Sequence, residues 1–393
     1  MNDKMNLQSG DSPLTGNALP FGADGTFRIL QVSDPQDMVH PRRAMLKMLD
    51  RAYDTLRPDL ILFTGDNTLG NHLLDFGPLR IETLHRPAFT LRQMRRSLKH
   101  ILMPAEKRNI PFGMIYGNHD DMNDVTKAEQ FALYRAYSSC LPMNGTDKTV
   151  DCDTYAVAIC GKNGKPVWNL YMLDSAWNDE NGQFWRIKKE TVEWYKRTGA
   201  ALAKQNGGKR VPSLMFLHVP LPQTKDLCVP CSEYDPGAVK DGDGWVRLDE
   251  KKAAGTLGEP VSAGEDPYGL FEALKENGDV KAVVTGHDHL NCFDGETDGV
   301  RLIQSGAASF RCYGGRIRGV RLFTLYENEP ERFDTAYYTY DMLCGRGPAA
   351  AARYYWDADE WTATKYKALG STALGAAALG TAIRILKRKK KGG

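Results

Sequence analysis

The sequence predicts an α/β protein whose early strands run parallel. Three observations support this. Apolar runs of strand length alternate with segments of helical spacing through the first two-thirds of the chain. Most of those runs end in aspartate, asparagine or histidine, at the strand ends where an open α/β sheet gathers its chemistry. Three further strand-like runs then follow one another with no helix between them.

FRILQVSD (27–34) is an apolar strand closed by a carboxylate. PRRAMLKMLDRAYDTL (41–56) spaces Met45, Leu46, Leu49, Ala52 and Tyr53 as one helical face. DLILFTGDN (59–67) is a second strand ending in a carboxylate, and a long helix is expected at about 86–108. IPFGMIYGNHD (110–120) is a third strand, ending in Asn-His-Asp, with a helix after it over roughly 125–138. TYAVAI (154–159) and VWNLYMLDS (167–175) read as strands, and KKETVEWYKRTGAALAKQ (188–205) as a helix. VPSLMFLHVPL (211–221) is a strand carrying His218. PYGLFEALKENG (267–278) is a short helix with Gly278 as its stop. VKAVVTGHDH (280–289) is the next strand, and GVRLIQSGA, IRGVRLFTLYEN and FDTAYYTYD complete the series. Strands this apolar are buried on both faces and need helices or a second sheet to cover them.

With 393 residues the chain suffices for one large domain or two ordinary ones. Its net charge of +2 does not by itself mark a nucleic-acid binder, and no nucleic acid is required as a partner. Of eight cysteines only Cys228 and Cys231 form a CxxC pair, which without a second pair is weak evidence for zinc. Reduced cysteines in a cytoplasmic protein are the simpler reading. Residues 1–24 are polar, lack the apolar core of a signal peptide, and read as a poorly ordered lead-in.

Five strand ends carry residues that bind metals: Asp34, then Asp66 with Asn67, then Asn118 with His119, then His218, then His287 with His289. Buried carboxylates and imidazoles are costly unless paired or metal-bound, so five in order point to a metal centre. Alternation along the last strand, 280–289, turns Asp288 away and puts His287 and His289 on one face.

The run D-x-Q, GDN, GNHD, a lone histidine and GHDH resembles the calcineurin-like metallophosphoesterases. FTGDN, FLHVPLP and GHDHLN are most similar to the purple-acid-phosphatase-like branch of that family. The resemblance spans residues 25–345. It implies a four-layer α/β/β/α sandwich, with two mixed β-sheets face to face and helices outside. It also implies two metal ions at the carboxyl edge, divalent or mixed-valence. Two cations about 3.5–4 Å apart clamp a phosphoryl group and activate a water. By resemblance Asp66 is the bridging carboxylate, Asp34 and His289 hold one ion, and Asn118, His218 and His287 hold the other. Such a donor set suits Mn, Fe or Zn. His119 matches the family's non-ligand histidine, which protonates the leaving oxygen or stabilises phosphoryl charge. Asp120 either orients that ring or caps the strand end.

Two departures stand out. Many relatives have histidine where this chain has Gln36, so Gln36 either binds the first ion weakly or lies outside its coordination sphere. The true purple acid phosphatases have tyrosine three residues after the GD aspartate, and here that position is Leu69. Without a phenolate ligand a ferric ion is not specifically favoured. The implied activity is hydrolysis of a phosphomonoester, on a small molecule or a protein, by direct attack of a metal-bound hydroxide. A phosphodiesterase acting on nucleotides or lipid head groups would use the same centre. A non-catalytic scaffold would have no need of His119.

His40, His72, His85 and His100 lie off the strand ends, and Asp174 and Ser175 read as structural. Residues 221–266 form a long, Gly-rich, polar insertion that starts beside His218 and is read as a flap over the substrate. Its DGDG (241–244) resembles a fragment of a calcium loop without the remaining ligands. The tail, 346–393, contains the pseudo-repeat ALGST-ALGAA-ALGTA and a basic end, IRILKRKKKGG. Its apolar stretch is short for a bilayer span, and the basic end favours weak contact with anionic lipid. A cytoplasmic enzyme with a disordered or weakly membrane-associated tail is expected.

Overall fold

The apolar runs assemble into two mixed sheets. The computed structural model describes residues 18–70, 86–142, 147–178, 185–359, 370–377 and 379–381. The first sheet has eight strands in the order β1 (Ala18–Pro20), β5 (Tyr155–Cys160), β6 (Pro166–Met172), β9 (Ser213–Phe216), β14 (Val280–Thr285), β16 (Val300–Gln304), β15 (Cys292–Thr297) and β13 (Ala253–Thr256). The second has five, in the order β18 (Phe333–Thr339), β17 (Gly319–Tyr326), β2 (Thr26–Val32), β3 (Leu60–Thr64) and β4 (Phe112–Ile115). The early strands β2, β3 and β4 are parallel neighbours, and so are β6, β9 and β14. Their carboxyl ends are therefore brought together in two groups of three.

The sheets face each other across a shared core. Phe216 of β9 meets Phe323 of β17 edge to face at 5.8 Å, and Trp168 of β6 meets Phe333 of β18 at 6.3 Å. Strand alternation divides the larger sheet between two cores. Trp168, Leu170, Leu214, Phe216, Ala282 and Val284 face the shared core. Tyr171, Met215 and Val283 face the opposite side, among residues of α4 (Lys189–Gln205) and α5 (Leu270–Asn277). The smaller sheet is covered by α1 (Arg43–Leu56) and α2 (Pro87–Lys107), which bury Met45, Met48, Leu98 and Leu102 in the shared core's cluster. The four layers are thus α/β/β/α.

Several element ends have local causes. Thr126 and Glu129 form a reciprocal capping box at the start of α3 (Lys127–Tyr134), which is shorter than the 125–138 expected. Gly278 stops α5 as expected, with φ 61° and its N–H donated to Leu274. Residues 18–20, within the expected lead-in, pair in parallel with β5, and residues 1–17 lie outside the described set.

The insertion is more ordered than its composition implied. β10 (Cys228–Pro230), β11 (Val239–Asp241) and β12 (Gly244–Leu248) form a sheet of their own, and β13 joins the edge of the large sheet. DGDG is the hairpin between β11 and β12, with Gly242 at φ 56°. A two-residue ladder, β7 (Trp177–Asn178) with β8 (Trp185–Arg186), lies between β6 and α4. After β18 come α6 (Tyr340–Cys344) and α7 (Pro348–Asp357). Ala44 donates its N–H to Asp357, and Asp359 pairs with Arg311 and Arg42. Packing against the sandwich therefore extends past residue 345. No helix among the described residues is long and apolar enough to cross a membrane.

Candidate metal centre

The strand ends of the two sheets meet at one place. Two groups of side chains there have ligand atoms lying mutually within 4.8 Å. One comprises Asp66, His218 and His287, and the other Asp34, Asp66 and His289. Asp66 belongs to both. Its Oδ1 lies 3.3 Å from His218 Nε2, while its Oδ2 lies 3.3 Å from the Gln36 amide nitrogen. Asn118 joins the first group, its Oδ1 standing 3.2 Å from His218 Nε2. Gln36 joins the second, its amide 3.1 Å from His289 Nε2. A half-turn of that amide would offer the second group a carbonyl oxygen.

The backbone is bent to achieve this. Asp34, Asp66 and His287 have φ of 50°, 48° and 72°, a left-handed conformation uncommon for residues with a Cβ and concentrated at functional sites. Close approach demands glycine beside them. A Cβ on Gly117 would lie 2.2 Å from Asp66 Oδ1, and one on Gly286 would lie 1.8 Å from Ser33 Oγ. β14 ends at Thr285, so alternation does not govern the histidines after it. The left-handed turn at His287 separates the two imidazoles instead. Asp288 does point away, as expected, but into a buried network, accepting from Gln304 Nε2 and the Ser262 N–H.

Each histidine's other nitrogen is informative. His218 Nδ1 lies 3.0 Å from the Thr64 carbonyl, and His289 Nδ1 lies 2.9 Å from the Tyr313 carbonyl. A carbonyl only accepts, so both Nδ1 atoms carry a proton and both Nε2 atoms face the centre. Ser175, read from sequence as structural, accepts the N–H groups of His218 and Val219 and so anchors that ligand loop. Asp34 Oδ2 accepts from Ser33 Oγ and the His287 N–H, while its buried Oδ1 has no hydrogen-bond partner. Gln36 Oε1 is likewise buried without one. Orphaned acceptor oxygens beside imidazole Nε2 atoms fit a pair of cations.

Burial works against charge on Asp66 and Asp34, but His218 beside both outweighs it and holds both carboxyls below the usual range. Burial disfavours charge on His218 too, yet Asp66 and Asp34 push it up to about 10. Burial and the neighbouring His218 push His287 down to about 3. Burial opposes protonation of His289, but the pull of Asp34, whose Oδ1 lies 3.5 Å from its Nε2, and the Tyr313 carbonyl raise it.

His119 stands beside the centre. Its Nε2 is 4.0 Å from Asp66 Oδ2, and its side chain keeps 32% of its surface exposed while most of the centre is buried. Asp120 is not turned toward the His119 ring. Its Oδ1 accepts from the Thr68 N–H and hydroxyl, and its Oδ2 from the N–H groups of Asn67 and Gly117. The carboxylate clamps the GDN and GNHD loops together, which matches the capping alternative. His40 and His100 contact each other with ring centroids 6.1 Å apart, and His72 and His85 lie outside the described residues. Leu69 is buried.

A calcineurin-like phosphoesterase family model matches residues 27–291. The chain belongs to that family: it is a metallophosphoesterase, a hydrolase of phosphoric esters. It is 28% identical to probable inactive purple acid phosphatase 29 of Arabidopsis thaliana over 335 residues, covering 75% of this chain and 76% of that protein. It is 24% identical to phosphatase DCR2 of Saccharomyces cerevisiae over 296 residues, covering 69% of this chain and 45% of that protein. Among solved structures it is similar to a dimetal phosphatase from Danio rerio, with a TM-score of 0.44 and 11% identity over 80% of this chain and 99% of that one.

With His218 pushed up to about 10, His289 raised and His287 pushed down to about 3, the metal-free chain should carry protons on the first two rings, and filling both clusters should release protons. Metal affinity should therefore fall as pH falls. Calorimetry in two buffers of different protonation enthalpy reads this, and release of none would contradict the charge assignment. Asp120→Asn turns an acceptor into a donor facing backbone N–H groups, and should lower stability in urea by about 1–3 kcal/mol with both ions still bound. Unchanged stability with lost turnover would instead return Asp120 to a role at the His119 ring.

Proposed function

We propose that the chain hydrolyses a phosphomonoester at a dinuclear centre, with Asp66 shared between the ions and His119 as proton donor. The observation that carries this is Asp66, whose two oxygens face two separate ligand clusters. Asp34, Gln36 and His289 would hold one ion, and Asn118, His218 and His287 the other. Nitrogen and oxygen donors without thiolate suit Mn, Fe or Zn. When bound, such ions neutralise phosphoryl charge and lower the pKa of a water.

The chain's own residues do the rest. The fixed Nδ1–H bonds of His218 and His289 hold both imidazoles in orientation without reorganisation. His119, partly exposed at the edge of the centre, is placed to meet the leaving-group oxygen and give it a proton. The Arabidopsis relative is named as probably inactive. In this chain both clusters and His119 stand together, which supports a working centre.

His119→Ala should keep both ions yet slow hydrolysis of alkyl phosphates by about a hundredfold. The loss should shrink for p-nitrophenyl phosphate, whose leaving group needs no proton. Equal losses on both substrates would remove His119 as the acid. Faster turnover of bis-p-nitrophenyl phosphate than of the monoester would assign the centre to diesters.

A further inference from the structure

We propose that the inserted segment 221–266 sets the grip of the centre on one of its two ions, with Glu259 and Tyr313 as positioning residues for His289, an inference that rests on the two-ion reading above. Tyr313 touches His289 twice. Its carbonyl accepts from Nδ1 at 2.9 Å, and its ring stacks on the imidazole with centroids 4.4 Å apart and planes 21° from parallel. The Tyr313 hydroxyl donates to Glu259 Oε2 at 2.8 Å. The other oxygen of the same carboxylate, Oε1, accepts the N–H of Leu290 at 2.8 Å. One glutamate from the insertion therefore holds the residue stacked on His289 and the residue that follows His289.

The glutamate is itself fixed. Asn291 Oδ1 accepts the N–H groups of Gly258 and Glu259 at 2.9 and 3.1 Å. Asp288 accepts the Ser262 N–H at 3.1 Å. Gly264 closes the insertion's base by donating to the Pro220 carbonyl at 2.9 Å, two residues beyond His218. The return leg of the insertion is thus bolted along 288–291.

The other cluster is anchored differently. His218 takes its Nδ1 partner from Thr64 at the end of β3, and its backbone N–H is held by Ser175 just beyond β6. Neither belongs to the insertion. The Glu259–Tyr313 brace therefore meets the ion held by Asp34, Asp66 and His289, whereas the insertion comes near the other cluster's His287 only through the Ser262 N–H on Asp288. Residues that orient a metal-binding histidine typically change metal affinity by about 10–100-fold.

The test is calorimetric titration of the metal-free full chain with Mn²⁺, on wild type, Glu259→Gln, Tyr313→Phe and His289→Ala. His289→Ala identifies which binding step belongs to its ion. Glu259→Gln and Tyr313→Phe should weaken that step by about tenfold or more and leave the other step unchanged. Tyr313→Phe keeps the ring stack and the carbonyl, so the metal-free variant should unfold at the wild-type temperature. Two unchanged steps, or an equal loss in both steps with unchanged thermal midpoint, would overturn the brace. A wild-type chain that takes up no ion would instead sink the two-ion reading.

Discussion

Two buried carboxylates, Asp34 and Asp66, meet the imidazoles of His218, His287 and His289 where the strand ends of two sheets converge. Burying charge at this density is unfavourable unless each group is paired or bound. Much of the surrounding structure serves that requirement. Ser33 and the His287 N–H satisfy one oxygen of Asp34, and the His119 N–H satisfies one of Asp66. Asp120 ties together the two loops that carry Asp66 and His119. Glycines 117 and 286 leave room where a methyl group would collide. The left-handed backbones of Asp34, Asp66 and His287 turn each chain sharply at the end of its strand.

The sandwich gives this cluster a rigid frame but supports its halves unequally. Thr64 and Ser175, at the ends of central strands β3 and β6, orient His218. His289 depends on Tyr313, in the connection between β16 and β17, and through it on the inserted segment. A family of enzymes can vary an insertion without rebuilding its sheets. In this chain the inserted segment is tied, through Glu259 and Tyr313, to the surroundings of one of the two candidate clusters.

The apolar strands, the main helices and the strand ends that carry the candidate ligands were legible in the sequence. Their signals are local: LILFT is apolar throughout because it is buried on both faces, and Gly278 stops α5 because only glycine adopts that turn cheaply. What escaped depended on distant partners. Ala18–Pro20 is three residues long and becomes a strand only by pairing with β5. The insertion reads as a polar loop because its small sheet is largely exposed and lacks a strong period. Alternation failed at His287, since nothing in GHDH announces a left-handed residue after the strand ends. Glu259 and Tyr313 carry no motif, and their roles exist only because 54 positions of separation close into one hydrogen bond. Asp120 allowed two readings from sequence, and only the positions of Asn67, Thr68 and Gly117 choose between them.

The sharing of Asp66 between two clusters is tested most directly by counting metal. After equilibration with Mn²⁺ and gel filtration, elemental analysis of the wild-type chain should find two ions per chain. Asp66→Ala should find close to none, because both clusters lose a ligand and the charge that balances their imidazoles, whereas His289→Ala should keep one. An Asp66→Ala chain that still carries two ions would show that the carboxylate does not join them.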